Sequence, residues 1–283
     1  MMISVWAVRL IESVSEVKMI SRLLCVFAVI WVNGAVAQDA DCVEQVPCQL
    51  GDRSYHVKPP DNWDGVTPLP VMLHFHGWGR QGTLIVKHGR ISGATRVRGV
   101  LLLAPNGRGK TWDFWDADSR DTDFAWDVIE DAAKRYPIDR DRIFVSGYSY
   151  GSAMAWRMAC DRGAEVHALL AVSGTLQQSE LCATSPKIIR HVHGTSDTVM
   201  DFPFGPGGDE TYPVQLWRDH KLCGTGRELG HYNTTEKDRF LRTEWTCEDG
   251  GAVALDVHQR GHFIPRGWIA KQLDELLDLP GQS

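Results

Sequence analysis

The sequence predicts an α/β protein with a mostly parallel central sheet and helices on both of its faces. Three observations carry this prediction: strand-like apolar runs alternate with helical patterns, one strand–helix junction holds a Gly-x-Ser-x-Gly turn, and the length suits one α/β domain. The strand-like runs fall at 53–58, 70–76, 99–104, 143–147, 167–173, 188–194 and 252–258. Helical patterns fall at 122–136, 213–223 and 266–279, and another follows the Gly-x-Ser-x-Gly turn.

The Gly-Tyr-Ser-Tyr-Gly turn at 147–151 lies between a buried strand pattern at 142–146 and a helix-like stretch at 152–159. In that context the pentapeptide predicts a nucleophile elbow, in which small neighbours let strand and helix backbones approach closely. Ser149 would then stand at a helix N-terminus, where positive partial charge favours the anion formed in acyl transfer. The alternative is an ordinary strand-to-helix turn with an incidental serine.

An aspartate and a histidine follow in an informative order. Asp197 lies in a polar loop after the strand pattern at 188–194, and His262 lies in a glycine-flanked loop before the last helix. The order Ser149, Asp197, His262 is that of the α/β-hydrolases, in which such groups gather at the carboxyl edge of the sheet. Taken singly, Asp197 is typical of a turn and His262 of a loop or core histidine. Taken together, they predict a catalytic triad.

The strand pattern at 70–76 ends in His-Gly, and the loop after it is expected to supply one oxyanion donor. By position, the two donors would be the backbone amides of Trp78 and Tyr150. Losing one such donor commonly lowers the rate by about 100- to 1,000-fold.

These motifs, with His-Gly-Thr-Ser-Asp at 193–197 and Gly-His at 261–262, resemble the polyhydroxybutyrate depolymerase and feruloyl esterase group of secreted α/β-hydrolases. The resemblance spans roughly 50–275 and implies the α/β-hydrolase fold, Ser149 as nucleophile, and Asp197 and His262 as its partners. Two departures, Trp78 and the Phe-Ile-Pro at 263–265, leave the chemistry intact and bear on the substrate.

The N-terminal region has the pattern of a signal peptide. A basic start near Met19, an apolar stretch at 23–32 and Ala-x-Ala predict cleavage after Ala37, with Met19 as the true start. A transmembrane anchor is the alternative, but the apolar run is too short for one. We therefore expect 38–283 to form a single secreted or periplasmic domain with no stable membrane insertion.

Six of the seven cysteines follow the predicted cleavage site, and an even set in a secreted chain is typical of disulfides. A metal site is the rival interpretation, but no C-x-x-C spacing occurs. We choose sequential pairing among the fifteen possibilities. The predicted pairs are Cys42–Cys48, Cys160–Cys182 and Cys223–Cys247.

Composition and motifs also bear on partners. A formal net charge of −6 gives no basic patch for nucleic acid, and no low-complexity linker to a polymer-binding module occurs. The His-x-His pairs at 74–76 and 191–193 each put two imidazoles on one strand face, a spacing that metal hydrolases use. Packing in the sheet is the simpler explanation, because the serine set already accounts for a hydrolase. We expect no metal and no organic cofactor.

Aromatic residues are concentrated around the polar loop at 113–123. They predict an apolar wall for the substrate beside Ser149, although core packing is the usual role of large aromatics. The candidate substrate-binding residues are Trp112, Trp115, Tyr148 and Trp268.

The sequence thus predicts a serine esterase that needs no cofactor and acts on an ester substrate. Polyhydroxybutyrate-type polyester or its oligomers is the first choice of substrate. A feruloyl or acetyl-xylan type of esterase, acting on carbohydrate-linked esters, is the alternative. A catalytically silent module that binds lipid or polymer is the alternative from outside enzymology.

Overall fold

A ten-stranded sheet runs through the part of the chain that this computed structural model describes, residues 42–280. The predicted signal peptide and Cys25 lie outside these residues. The strands are β1 (Cys48–Leu50), β2 (Arg53–Lys58), β3 (Leu69–Phe75), β4 (Leu101–Pro105), β5 (Ile138–Tyr148), β6 (Ala168–Val172), β7 (Ile188–Gly194), β8 (Arg227–Asn233), β9 (Arg239–Thr246) and β10 (Ala252–His258). The α-helices are α1 (Gly82–Lys87), α2 (Ser92–Arg96), α3 (Arg120–Ala133), α4 (Tyr150–Arg162), α5 (Gln215–His220) and α6 (Trp268–Leu276).

The sheet is parallel at its centre and antiparallel at both edges. Its strand order is β1-β2-β4-β3-β5-β6-β7-β10-β9-β8. The six central strands, β4, β3, β5, β6, β7 and β10, are parallel to their neighbours within this group. The two outer strands on each side pair antiparallel. This arrangement confirms the predicted α/β-hydrolase fold with a mostly parallel sheet.

Parallel pairing brings the carboxyl ends of the central strands to one edge of the sheet. Phe75 of β3 pairs with Gly147 of β5, and Gly194 of β7 pairs with His258 of β10. The segments that follow these four strands therefore meet at this edge, and they carry the predicted triad residues Ser149, Asp197 and His262 and the predicted oxyanion donors Trp78 and Tyr150.

Two hydrophobic cores lie on the two faces of the sheet. Helices α3, α4 and α5 pack on one face, and α1, α2 and α6 pack on the other. Every residue of β3 is buried, because helices cover both faces of a central parallel strand. Residues 151–160 of α4 are also all buried, which accounts for the small and apolar side chains of this helix.

Three disulfides join parts of the chain outside the parallel core. They are the predicted pairs Cys42–Cys48, Cys160–Cys182 and Cys223–Cys247. The second ties the end of α4 to the loop after β6, and the third closes the segment that contains β8 and β9. Among residues 42–280, no helix combines the length and apolar character that a membrane crossing requires.

The sequence did not predict β1, β8 or β9. Strand β8 is an edge strand without fully buried residues, so it has no apolar run to identify it. In β9 a buried position is held by Arg242, whose guanidinium donates to both carboxylate oxygens of Asp256 at 2.8 and 2.7 Å. Hydrophobic alternation cannot find such a position, because an ion pair replaces the apolar side chain.

Candidate active site

Ser149 lies between the end of β5 and the start of α4 in a strained backbone conformation. Its φ is 59° and its ψ is −126°, a region that a non-glycine residue occupies only when its surroundings enforce it. The Ser149 amide donates to the Val172 carbonyl at 3.0 Å, and its own carbonyl accepts the Ser152 amide at 2.8 Å. These bonds hold the turn, and Ser149 remains 8% exposed.

The glycines on either side of Ser149 permit close backbone contacts. A Cβ on Gly147 would lie 2.0 Å from the Gly151 carbonyl oxygen, and one on Gly151 would lie 2.1 Å from that of Phe75. Any side chain at either position would therefore force strand and helix apart. The turn at 147–151 has the strand–turn–helix context of an elbow.

Asp197 and His262 are brought together at the same edge of the sheet. His262 Nδ1 donates to Asp197 Oδ2 at 2.7 Å, which leaves Nε2 as the nitrogen that can accept a proton. The Tyr148 ring stacks on the His262 ring with 4.7 Å between their centroids, so His262 lies beside the elbow. Within residues 42–280, the Ser149 hydroxyl forms no hydrogen bond, and such catalytic contacts commonly tighten only with substrate bound.

Hydrogen bonds keep the buried Asp197 carboxylate charged. Burial alone would raise its pKa, but side-chain bonds from His193 and His262 and backbone bonds from Val199 and Met200 outweigh it. The net effect holds the Asp197 pKa well below its usual range. Asp197 is thus available as a negative charge that orients the His262 ring.

The loop after β3 lies directly against the elbow. A Cβ on Gly77 would be 3.6 Å from Ser149 Cβ, and Trp78 follows in the chain. The Trp78 amide donates to no backbone carbonyl among residues 42–280. Tyr150 is the first residue of α4, where helical amides also lack an internal partner. Tyr150 thus adjoins Ser149 in the chain and Trp78 adjoins it through Gly77, and their role as oxyanion donors stays a prediction.

His76 holds this loop and was not assigned a role from the sequence. Its Nε2 accepts the Gly107 amide at 3.0 Å, so its Nδ1 carries the proton and donates to the Gly77 carbonyl at 2.9 Å. Burial lowers the pKa of His76 to about 4, which keeps the ring neutral. The His-Gly motif was the available signal, but sequence alone does not show which groups the ring meets.

His193 contacts the predicted catalytic acid and was likewise missed. Its Nε2 lies 2.8 Å from the Met200 carbonyl oxygen and 3.4 Å from Asp197 Oδ2, so this nitrogen carries the proton. Its Nδ1 then accepts from His191 Nε2 at 3.2 Å. The His-x-His pair at 191–193 is thus hydrogen-bonded within the fold, and residues 42–280 contain no cluster of metal-ligating side chains.

Only part of the predicted aromatic wall faces the site. Trp115 is 62% exposed, and Tyr148 is half-buried against His262. Trp268 does not line the site: it is fully buried in the core between the sheet and α6, where its indole N–H donates to Asp256 at 2.7 Å. Trp112 is also buried in the core, and its indole N–H donates to the His76 carbonyl at 2.7 Å.

Comparisons with known proteins agree with this description. No family model matches the chain. It is 28% identical over 162 residues to a probable feruloyl esterase C of Aspergillus flavus, covering 56% of this chain and 59% of that protein. It is 24% identical over 225 residues to feruloyl esterase D of Neurospora crassa, covering 74% and 73%. The structure resembles the acetyl xylan esterase from Aspergillus awamori with a TM-score of 0.61 and 13% identity, covering 81% of this chain and 95% of that one.

The sheet topology and the strained strand–turn–helix at Ser149 define an α/β-hydrolase fold. The curated relatives that the chain resembles are named as esterases, which agrees with the feruloyl esterase side of the predicted resemblance. The chain spans less than two thirds of the feruloyl esterase C that it matches.

Proposed function

We propose that this chain is a serine esterase that hydrolyses carboxylic esters attached to carbohydrate. The observation that carries the proposal is the strained Ser149 turn beside a hydrogen-bonded pair of His262 and Asp197. The named relatives, feruloyl esterases among them, support the carbohydrate-linked alternative over a polyester substrate.

The reaction we propose is a two-step acyl transfer. Ser149 Oγ attacks the ester carbonyl carbon while His262 Nε2 takes its proton. The Trp78 and Tyr150 amides bind the oxyanion, and Asp197 stabilises the imidazolium. His262 then protonates the leaving alcohol, so the C–O bond breaks and an acyl-Ser149 ester remains. A water molecule deprotonated by His262 attacks that ester and releases the acid.

We further propose that the protein works in an oxidising compartment, as a single catalytic domain after removal of 1–37. The three disulfides support this proposal, because such bonds persist in secreted and periplasmic proteins and are rare in reducing cytosol. The predicted signal peptide points to the same compartment.

A labelling experiment tests the chemistry apart from the substrate. A fluorophosphonate probe should modify Ser149, as mapped by mass spectrometry of tryptic peptides, and Ser149→Ala should abolish both labelling and esterase activity. Retention of most activity by Ser149→Ala would refute the serine mechanism.

A substrate panel tests the specificity. Methyl ferulate, acetylated xylan and 3-hydroxybutyrate oligomers are compared with the oxidised protein under identical conditions, with Ser149→Ala as the blank. We expect the carbohydrate-type esters to have the higher kcat/KM. A clear preference for the hydroxybutyrate oligomers would restore the polyester substrate.

A further inference from the structure

An open groove of about 1210 Å³ lies on the same edge of the sheet as the elbow. We call it the acidic groove, and it is bounded by the β1–β2 turn, the loop after β4 and the first turns of α3. Its lining includes Asp52, Arg53, Trp115 and Asp127. Of these, only Trp115 was predicted to contact the substrate.

The acidic groove is connected to the elbow by aromatic contacts. The Trp115 ring meets the Tyr150 ring edge-on with 6.3 Å between centroids, and Tyr150 directly follows Ser149. Arg53 begins β2, which is three strands away from β5 in the sheet, a separation of roughly 14 Å at the usual strand spacing. A small acyl group held at Ser149 cannot reach that far, whereas a chain attached to the ester can pass over Trp115 into the groove.

The charges in the acidic groove favour a neutral ligand that carries hydrogen-bond donors. Five aspartates line it against three arginines. Asp127 is exposed and has no ion-pair partner within residues 42–280, unlike Asp52 with Arg108. Its carboxylate therefore has free acceptor capacity, and an anionic ligand would be repelled.

A second observation points to a ligand. Arg53 lines the groove with its side chain only 7% exposed; its Nη1 pairs with Asp121 and its Nη2 donates to the Asn106 carbonyl at 3.2 Å, whereas its Nε has no hydrogen-bond partner among the described residues. A buried donor without a partner costs free energy unless something supplies an acceptor. Hydroxyl groups suit a lining of this kind, because each can accept from an arginine and donate to a carboxylate.

These requirements separate the two ester classes. A sugar chain offers hydroxyl donors and acceptors, and its ring faces can pack on the exposed Trp115. A polyhydroxyalkanoate chain offers ester oxygens, which only accept, so it would desolvate the aspartates without replacing their hydrogen bonds. We propose that the acidic groove binds the neutral sugar chain that carries the ester, an inference that rests on the proposed esterase function.

Binding without turnover tests the groove directly. The full-length Ser149→Ala protein is titrated with xylohexaose, which carries no ester, by isothermal titration calorimetry. We expect measurable binding that Trp115→Ala weakens at least tenfold and Asp127→Asn weakens about threefold or more. Asp141→Asn is the matched control, since it removes an exposed carboxylate at the opposite end of β5 and should leave the Kd unchanged.

Kinetics supply the second measurement. In the Ser149-containing protein, Trp115→Ala should lower kcat/KM for a feruloylated xylo-oligosaccharide at least fivefold more than for methyl ferulate, chiefly through KM. Equal losses on both substrates, or absent binding of xylohexaose, would overturn the subsite. If no ester is hydrolysed, the proposed function fails instead, while the xylohexaose titration still decides the groove.

Discussion

Buried histidines should make this protein unstable in mild acid. Burial lowers the pKa of His74 to about 3, and that of His76 and His258 to about 4. In the unfolded chain the same rings return to the reference value of about 6.5. As the pH falls below that value, the histidines of the unfolded state become protonated while those of the folded state stay neutral. The free energy of unfolding therefore decreases until the pH reaches the folded pKa values.

The size of the effect follows from linkage. Between pH 7 and pH 5, each of the three rings lowers the free energy of unfolding by about 2 kcal/mol, and together by about 5–6 kcal/mol. His191, also fully buried with its pKa well below the usual value, adds to this loss. For a domain of this size, the sum corresponds to a fall in Tm of roughly 10–20 °C.

Thermal unfolding followed by circular dichroism at pH 7, 6 and 5 measures this slope. His74→Asn should reduce the slope by about one proton equivalent, whatever it does to stability at pH 7. The control His220→Asn changes an exposed ring and should leave the slope as it is. A Tm that stays constant from pH 7 to pH 5, or a slope unchanged in His74→Asn, would refute the reasoning.

Three further predictions concern the site and its support. Asp197→Asn should lower kcat by about 10³- to 10⁴-fold, because the amide no longer selects the His262 tautomer that accepts a proton, and steady-state kinetics measure this; a loss under tenfold would contradict the assignment. Gly151→Ala should prevent a stable fold, since its Cβ would overlap a backbone carbonyl, whereas Gly93→Ala has open space and should keep the wild-type Tm. Replacing Cys160 and Cys182 by alanine should cost about 3 kcal/mol of stability, the loop-closure value for 22 residues, measured by urea unfolding; an unchanged unfolding midpoint would show that this bond does not constrain the unfolded chain.

The central sheet was predictable because its signals are local. Each of the seven predicted strands is present in the structure, and the central strands β3, β4 and β6 are apolar runs buried on both faces. The same holds for the turn at 147–151, where glycine spacing reflects close backbone approach within a few residues. The positions of Ser149, Asp197 and His262 at one edge follow from parallel topology rather than from any single motif.

The missed features depend on partners that only folding brings together. Trp268 was predicted at the substrate wall, but its indole N–H instead reaches Asp256, which also pairs with Arg242 of β9. No local pattern reports that network, because its members are brought together only by the antiparallel β9–β10 pairing and by the packing of α6 on the sheet. The role of His193 was missed for a different reason: its partners Asp197 and Met200 are near in the chain, but only the folded loop after β7 turns them back onto its ring.

The acid sensitivity and the organisation of the site have one physical origin. His76 fixes the loop that presents Trp78 only as a neutral ring with its proton on Nδ1, because its Nε2 must accept from Gly107. Protonation of Nε2 would break that bond and place a charge beneath the loop. Burial prevents this by lowering the pKa, and the same burial makes the folded state lose stability as the pH falls. We therefore expect variants that relieve the acid sensitivity at His76 to lose oxyanion stabilisation as well, whereas those at His74, which contacts Ser146 inside the sheet, should relieve it without changing kcat.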